Sequence, residues 1–301
     1  MGQAMDDLKN SLEKFCIDEY VDSKIYEALA KQEKDSRKRE VLQRMSLEER
    51  QHYEFWKSLI GSECRTTGIK RKILTMLMLR KLFGLTFTSL FLERHEAEVV
   101  EAYESIAQKL PQQFSKMLEK IIEEEEKHER ETISEIDERI VKYMSFVILG
   151  LADAIVEING VHAGFLGVTE STIVTGIAGL VVGLSAAISM ASAAYLQAKH
   201  EAGKSPKTSA LMTGVAYILA VVALALPYFI IRHMLSAFAI SVSLGIAMIA
   251  GFTFYASVLQ DKKFTREFLE SVVLMMGTAL ASYLFGDLLG TVFGIRGLLG
   301  P

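Results

Sequence analysis

From residue 143 onward this chain carries five apolar segments in succession, at about 143–168, 173–198, 209–231, 235–259 and 268–294. Each runs to roughly 20 residues or more, enough for a helix to cross a ~30 Å hydrocarbon core. Inside lipid the backbone must satisfy its own polar groups, so segments this long and apolar predict a bundle of transmembrane helices. Residues 1–142 are different in kind, dense in Glu, Lys and Arg. The hydrophobic share of 50% is therefore an average that belongs to neither half. The predicted class is all-α, with a soluble domain over 1–137 and a membrane domain over 138–301.

The opening MGQAMDDLKNSLEKF is acidic and amphipathic and has no apolar signal-peptide core, so no signal peptide is expected. The net charge of −4 gives no reason to expect a nucleic-acid partner. Cys16 and Cys64 form no C-x-x-C, which excludes a cysteine zinc site and a rubredoxin-type iron centre. Both read as small buried or surface residues, with no sign of an oxidising compartment.

Within the soluble domain, 5–35 and 38–60 have apolar residues at helical spacing, and a turn follows near 62–68. The next stretch, 73–92, is apolar enough to suggest a span, but Arg80 and Lys81 sit at its middle. That cost favours a crossover helix or a helix lying on a membrane surface. Pro111 is placed to open the following helix.

A repeat runs through these helices. Glu19 to Ala30 and Glu96 to Ala107 both read E-x6-Y-E-x-[LI]-A, at an offset of 77, with Tyr26 matching Tyr103. After each copy comes a second element, Glu48-Glu49-x-x-His52 and Glu124-Glu125-x-x-His128, at an offset of 76. The unit is a duplicated helical hairpin. Residues i and i+3 share a helix face, so each Glu-x-x-His offers an oxygen and a nitrogen to one point. With one Glu from each remaining helix, the set is Glu19, Glu49, His52, Glu96, Glu125 and His128. Four carboxylates and two imidazoles are the ligand set of di-iron and di-manganese carboxylate bundles, and the donors suit iron(II), manganese or zinc. Tyr26 and Tyr103 are placed to hydrogen-bond these ligands. Glu93, Glu98 and Glu101 read as facing water, although Glu93 lies one turn before Glu96 and could join the site.

On these motifs, residues 5–137 resemble the rubrerythrin-like branch of the ferritin-like superfamily. The resemblance implies a four-helix bundle whose matching positions bind a di-iron centre. The rubredoxin domain of a classical rubrerythrin is missing, which puts a full peroxidase cycle in doubt.

In the membrane half, Asp153 and Glu157 stand at i and i+4 in the first span, with Asn159 and His162 beyond. Intramembrane acids are costly and point to an ion path. Met190, in the second span, adds a soft thioether. His162 and Asp287 are equally readable as hydrated span ends. Pro227 is expected to kink the third span. Gly176, Gly179 and Gly183 favour close helix contact or dimerisation. Lysines and arginines gather in the 199–208 and 260–267 loops, so the positive-inside rule puts the bundle in the cytoplasm and the C-terminus on the opposite side, with the cell membrane as host.

The stretches GLADAIVEINGVHAGFLGV and GLVVGLSAAISMASAAYLQAKHE resemble the first two spans of the vacuolar iron transporter family. The resemblance implies an iron(II) exporter coupled to protons, in which Asp153 and Met190 line the ion path; a homodimer is expected alongside it. Ala154 stands where that family has Gly after the Asp, and the short 199–208 loop replaces its Glu-rich insertion. The joint expectation is iron(II) export, with manganese as a further cargo, served by a bundle that captures or senses the metal. The alternative is a membrane-anchored ferroxidase or peroxide scavenger. Along one unbroken helix His128 and Asp153 would lie about 38 Å apart at ~1.5 Å per residue. Metal would then pass by a relay or the sites would communicate by gating, not by direct contact.

Overall fold

The computed structural model describes residues 2–64, 67–94, 102–103, 106, 112–135, 139–260 and 262–294. All regular elements among them are helices, and the chain divides into two compact units, Met1–Glu138 and Arg139–Pro301. The junction residues 136–138, Glu96, Glu98, Glu101 and Pro111 lie outside the described residues.

In the first unit, α1 (Gly2–Gln32) and α2 (Ser36–Ile60) form a hairpin. Asp35 caps α2, its carboxylate accepting from the backbone N–H groups of Arg37 at 2.9 Å and Lys38 at 3.1 Å. That cap satisfies donors the first helical turn leaves orphaned, so the turn closes before Asp35 and not after it. Gly61, at φ 71°, ends α2 in the left-handed conformation that a residue without Cβ adopts freely. The apolar stretch that follows is not one helix. Gly84, at φ 90°, splits it into α3 (Ile69–Phe83) and α4 (Leu85–Glu93). Then comes α5 (Gln112–Glu135), which packs against α2 and α4.

Two apolar clusters hold this unit. Ile25, Tyr26, Leu29, Leu42 and Met45 knit α1 to α2, with Ile73, Met76 and Leu77 of α3 laid over them. Phe15, Trp56, Tyr103 and Leu118 form the second cluster. Burying each such side chain is worth about 1.5–3 kcal/mol. Cys16 and Cys64 belong to this second cluster and are joined in a disulfide, contrary to their reading as unlinked small residues. Sequence spacing could not have paired them, because the turn after α2 is what returns Cys64 to α1.

The second unit contains α6 (Arg139–Val168), α7 (Thr172–Ala198), α8 (Pro206–Ile230), α9 (Met234–Leu259) and α10 (Phe264–Val292). Five helices here are long and apolar enough to cross a membrane. Helix α6 is the hub, packing against the other four. It comes close to α10 because Gly286 sits on the carbonyl of Gly164, where any Cβ would collide. The α7 glycines Gly176, Gly179 and Gly183 are buried against α6 and α8 within the unit. That is the close helix contact read from this stripe. The opposite face of α7 carries exposed Ile173, Ile177, Val181, Leu184 and Ile188, a surface suited to lipid tails. Pro227 lies in the last turn of α8, where it leaves the Ala223 carbonyl without its helical donor, yet the helix runs through it to Ile230.

The disulfide closes a loop of sequence separation 48, for which chain entropy predicts ~4 kcal/mol of stabilisation. Reduction, or Cys16→Ser, is therefore expected to lower the unfolding midpoint of the bundle in calorimetry. An unchanged midpoint on reduction would show that the bond does not constrain the unfolded chain.

Candidate metal centre

Four helices of the first unit aim their polar side chains at one buried point. Helix α1 supplies Glu19, α2 supplies Glu49 and His52, α4 ends on Glu93, and α5 supplies Glu125 and His128. All six are at most 5% exposed, although Glu and His are rarely buried without a partner or a metal.

The two imidazoles face each other with ring centroids 6.1 Å apart. His52 Nδ1 lies 2.8 Å from Glu125 Oε1, 3.5 Å from Glu19 Oε2 and 3.7 Å from Glu49 Oε2. His128 Nδ1 lies 3.1 Å from Glu49 Oε1 and 3.4 Å from Glu125 Oε2. Glu49 and Glu125 thus each turn one oxygen to one imidazole and the other oxygen to its mate, as bridging carboxylates do. Glu19 completes the His52 side. Glu93 completes the other, grouped with Glu125 and His128 within 4.8 Å. Both Nδ1 atoms, with Glu49 Oε1 and Glu125 Oε2, are buried and make no hydrogen bond. Lone pairs left converging in this way fit a pair of metal ions held by nitrogen and oxygen.

The far side of each imidazole explains why Nδ1 faces inward. His52 Nε2 is 3.0 Å from Glu124 Oε2, and His128 Nε2 is 2.9 Å from Glu48 Oε2. A carboxylate can only accept, so each Nε2 carries the proton and donates it, leaving Nδ1 free to ligate. The pairing is crossed: each hairpin's histidine is held by the other hairpin's glutamate. Glu48 and Glu124 stand in the repeat beside the ligands, and their duplication was the available signal for this role.

Glu19 is further held by Trp56 Nε1 at 3.3 Å and by the Tyr103 hydroxyl, both donating to Oε1. The Tyr26 hydroxyl, expected to act likewise, is buried without a hydrogen bond. Glu93 corrects the expectation that it faces water, being 5% exposed. It lies 74 residues after Glu19, whereas the His pair is offset by 76.

Burial, then the neighbouring charges of Glu125 and Glu49, pushes the Glu19 carboxyl well above the usual range. Burial alone would lower the His52 and His128 pKa values, but the surrounding carboxylates outweigh it. His52 is held well above its ordinary value and His128 at about 12. Glu124, hydrogen-bonded to His52, falls to about 2. Without metal the cluster therefore stores protons that ligation must displace. A cavity of about 540 Å³ opens onto this site, lined by Asp18, Asp22, Glu19, Glu49 and Glu125 and by Met76 of α3.

In the second unit, the Tyr217 hydroxyl of α8 donates to Glu157, a partner the sequence reading missed. Asp153 and Glu157 are half-buried. Asn159 is not brought to them: two residues beyond Glu157 it points about 200° round the helix. It donates to Ile155 O at 2.9 Å and meets Met275 Sδ at 3.6 Å. Met190 packs at the edge of the apolar core. His162 is fully buried, which removes the hydrated-end reading, and it lies 3.4 Å from Ser241 Oγ and against Gly179.

Two outcomes follow for metal binding by the intact protein. Glu48→Gln with Glu124→Gln should weaken binding about 10–100-fold, the usual effect of removing the carboxylates that orient ligating histidines. Glu125→Ala should remove binding of the second ion altogether, as read by metal content. Because the free site is protonated at neutral pH, calorimetry should show protons released on binding and affinity rising with pH. A flat pH profile would contradict the protonated resting state.

A family model described as rubrerythrin matches residues 10–135. Neither a curated protein nor a solved structure matches the chain. Residues 10–135 are a rubrerythrin-like domain of ferritin-like fold, followed in the same chain by five membrane-capable helices.

Proposed function

We propose that this protein exports iron(II) from the cytoplasm, with manganese as a second cargo, and that the bundle captures or senses the metal. The observation that carries the reading is the joining, in one chain, of a buried two-histidine, four-carboxylate cluster to five helices long and apolar enough to cross a membrane, the first of which carries two acids. Glu19, Glu49, His52, Glu93, Glu125 and His128 would hold a di-iron pair, and Glu96 extends that set by its place in the repeat. Such a pair supplies reversible one-electron iron chemistry when bound, and manganese or zinc fits the same donors.

The chain's own residues suggest how the parts work. Asp18 and Asp22 line the cavity to the cluster and attract a cation towards it. In the second unit Asp153 and Glu157 bind the ion, Tyr217 steadies Glu157, and protonation of either acid releases the ion outward. Met190 adds a soft donor to that path. Half-buried acids on the hub helix favour a homodimer, in which a second copy covers their exposed side. The basic loops favour a cytoplasmic bundle in the cell membrane. The disulfide argues the other way, since a reducing cytosol disfavours such bonds in mesophiles.

A second reading is a ferroxidase or peroxide-scavenging bundle on a membrane anchor. The completeness of the cluster favours it, but iron(III) would bind the carboxylates tightly and need reduction before an iron(II) path accepted it.

Vesicles of known orientation test the proposal. Asp153→Asn should abolish iron(II) transport while leaving metal bound to the bundle. Normal transport by that variant would overturn the membrane mechanism. Transport at full rate by residues 138–301 would rule out delivery by the bundle, and protease access from each side fixes its sidedness.

A further inference from the structure

We propose that α3 is a membrane-surface helix, which inserts its outer face into the interface of the anionic membrane that the second unit crosses. The inference rests on the membrane character of the second unit and not on iron export.

The rotation of α3 is fixed by its inner face. Ile73, Met76 and Leu77 pack on the α1–α2 core. Arg80 turns inward, donating to Leu29 O at 3.1 Å and to Glu33 Oε2 at 2.7 Å. Of the two charges that argue against a buried span, Arg80 is therefore spent on the bundle, and Lys81 stays exposed beside the opposite face. That face carries Leu74, Met78 and Leu82, one turn apart and 54%, 55% and 73% exposed. A row of three large apolar side chains on a 15-residue helix is costly in water. Exposed Lys70, Arg71 and Lys81 flank the row, and α3 contains no carboxylate.

An apolar row edged by cations only, in a chain whose net charge is −4, matches an anionic lipid surface in both hydrophobicity and sign. A second copy fits less well, because two-fold pairing of this face would set Lys70, Arg71 and Lys81 against their equals. The membrane is already present at high local concentration, since the same chain crosses it. Met76, on the inner side of α3, lines the cavity to the metal cluster, so lipid docking and metal access share one helix.

The test uses the full chain in nanodiscs of anionic or zwitterionic lipid with brominated acyl chains. Trp56 is the single native tryptophan and is fully buried, so it gives a low background. Met78→Trp should emit at shorter wavelength in anionic discs, and bromolipid should quench it to about half, as expected at an insertion depth of ~5–10 Å. Adding Lys70→Glu, Arg71→Glu and Lys81→Glu should restore the emission. Leu82→Trp serves as a second reporter should Met78→Trp lose its metal content or helicity. Quenching no greater than in wild type overturns the proposal. A blue shift insensitive to bromine overturns it in favour of a protein partner.

Discussion

The first unit depends on two crossed ion-dipole contacts, His52 with Glu124 and His128 with Glu48. Each ties α2 to α5 and fixes a tautomer, and only with both Nε2 protons donated outward do both Nδ1 lone pairs converge. Four further buried carboxylates are tolerable only around such a centre, because unpaired charges in a low-dielectric interior cost several kcal/mol each. The apolar clusters on either side, built on Trp56 and Leu29, provide the stability that a polar core withholds. The disulfide sits within one of them, one helical turn from Glu19.

The second unit solves the opposite problem. Its outer faces are apolar and its interior must hold a few polar groups, so small residues let the helices close around them. Gly179 makes room for His162, and Gly286 lets α10 lie on α6. Asp153 and Glu157 fall between these regimes, half-buried on the hub helix, with the Tyr217 hydroxyl donating to Glu157.

Much of this was legible in the sequence, and the limits have physical reasons. The five apolar segments declare themselves because lipid demands unbroken length. Glu49, His52, Glu125 and His128 declare themselves because i, i+3 spacing on an uninterrupted helix preserves register. Glu93 is harder to read, because it stands outside the duplicated pattern and only its burial beside Glu125 and His128 marks it. The Cys16–Cys64 bond and the Tyr217 contact depend on how helices turn towards one another, which periodicity within one helix does not encode. Glu48 and Glu124 lie between these cases. Their duplication is visible, but the crossing of the hairpins that gives them a purpose is tertiary.

The central proposal is that the duplicated hairpins would hold two metal ions, with Glu49 and Glu125 facing both histidines. Mössbauer spectroscopy of the full-length protein, loaded with iron and oxidised, tests it most directly. The account predicts two irons per chain as a spin-coupled ferric pair with oxygen and nitrogen ligands. A single iron per chain, or two magnetically isolated ferric ions, would contradict it.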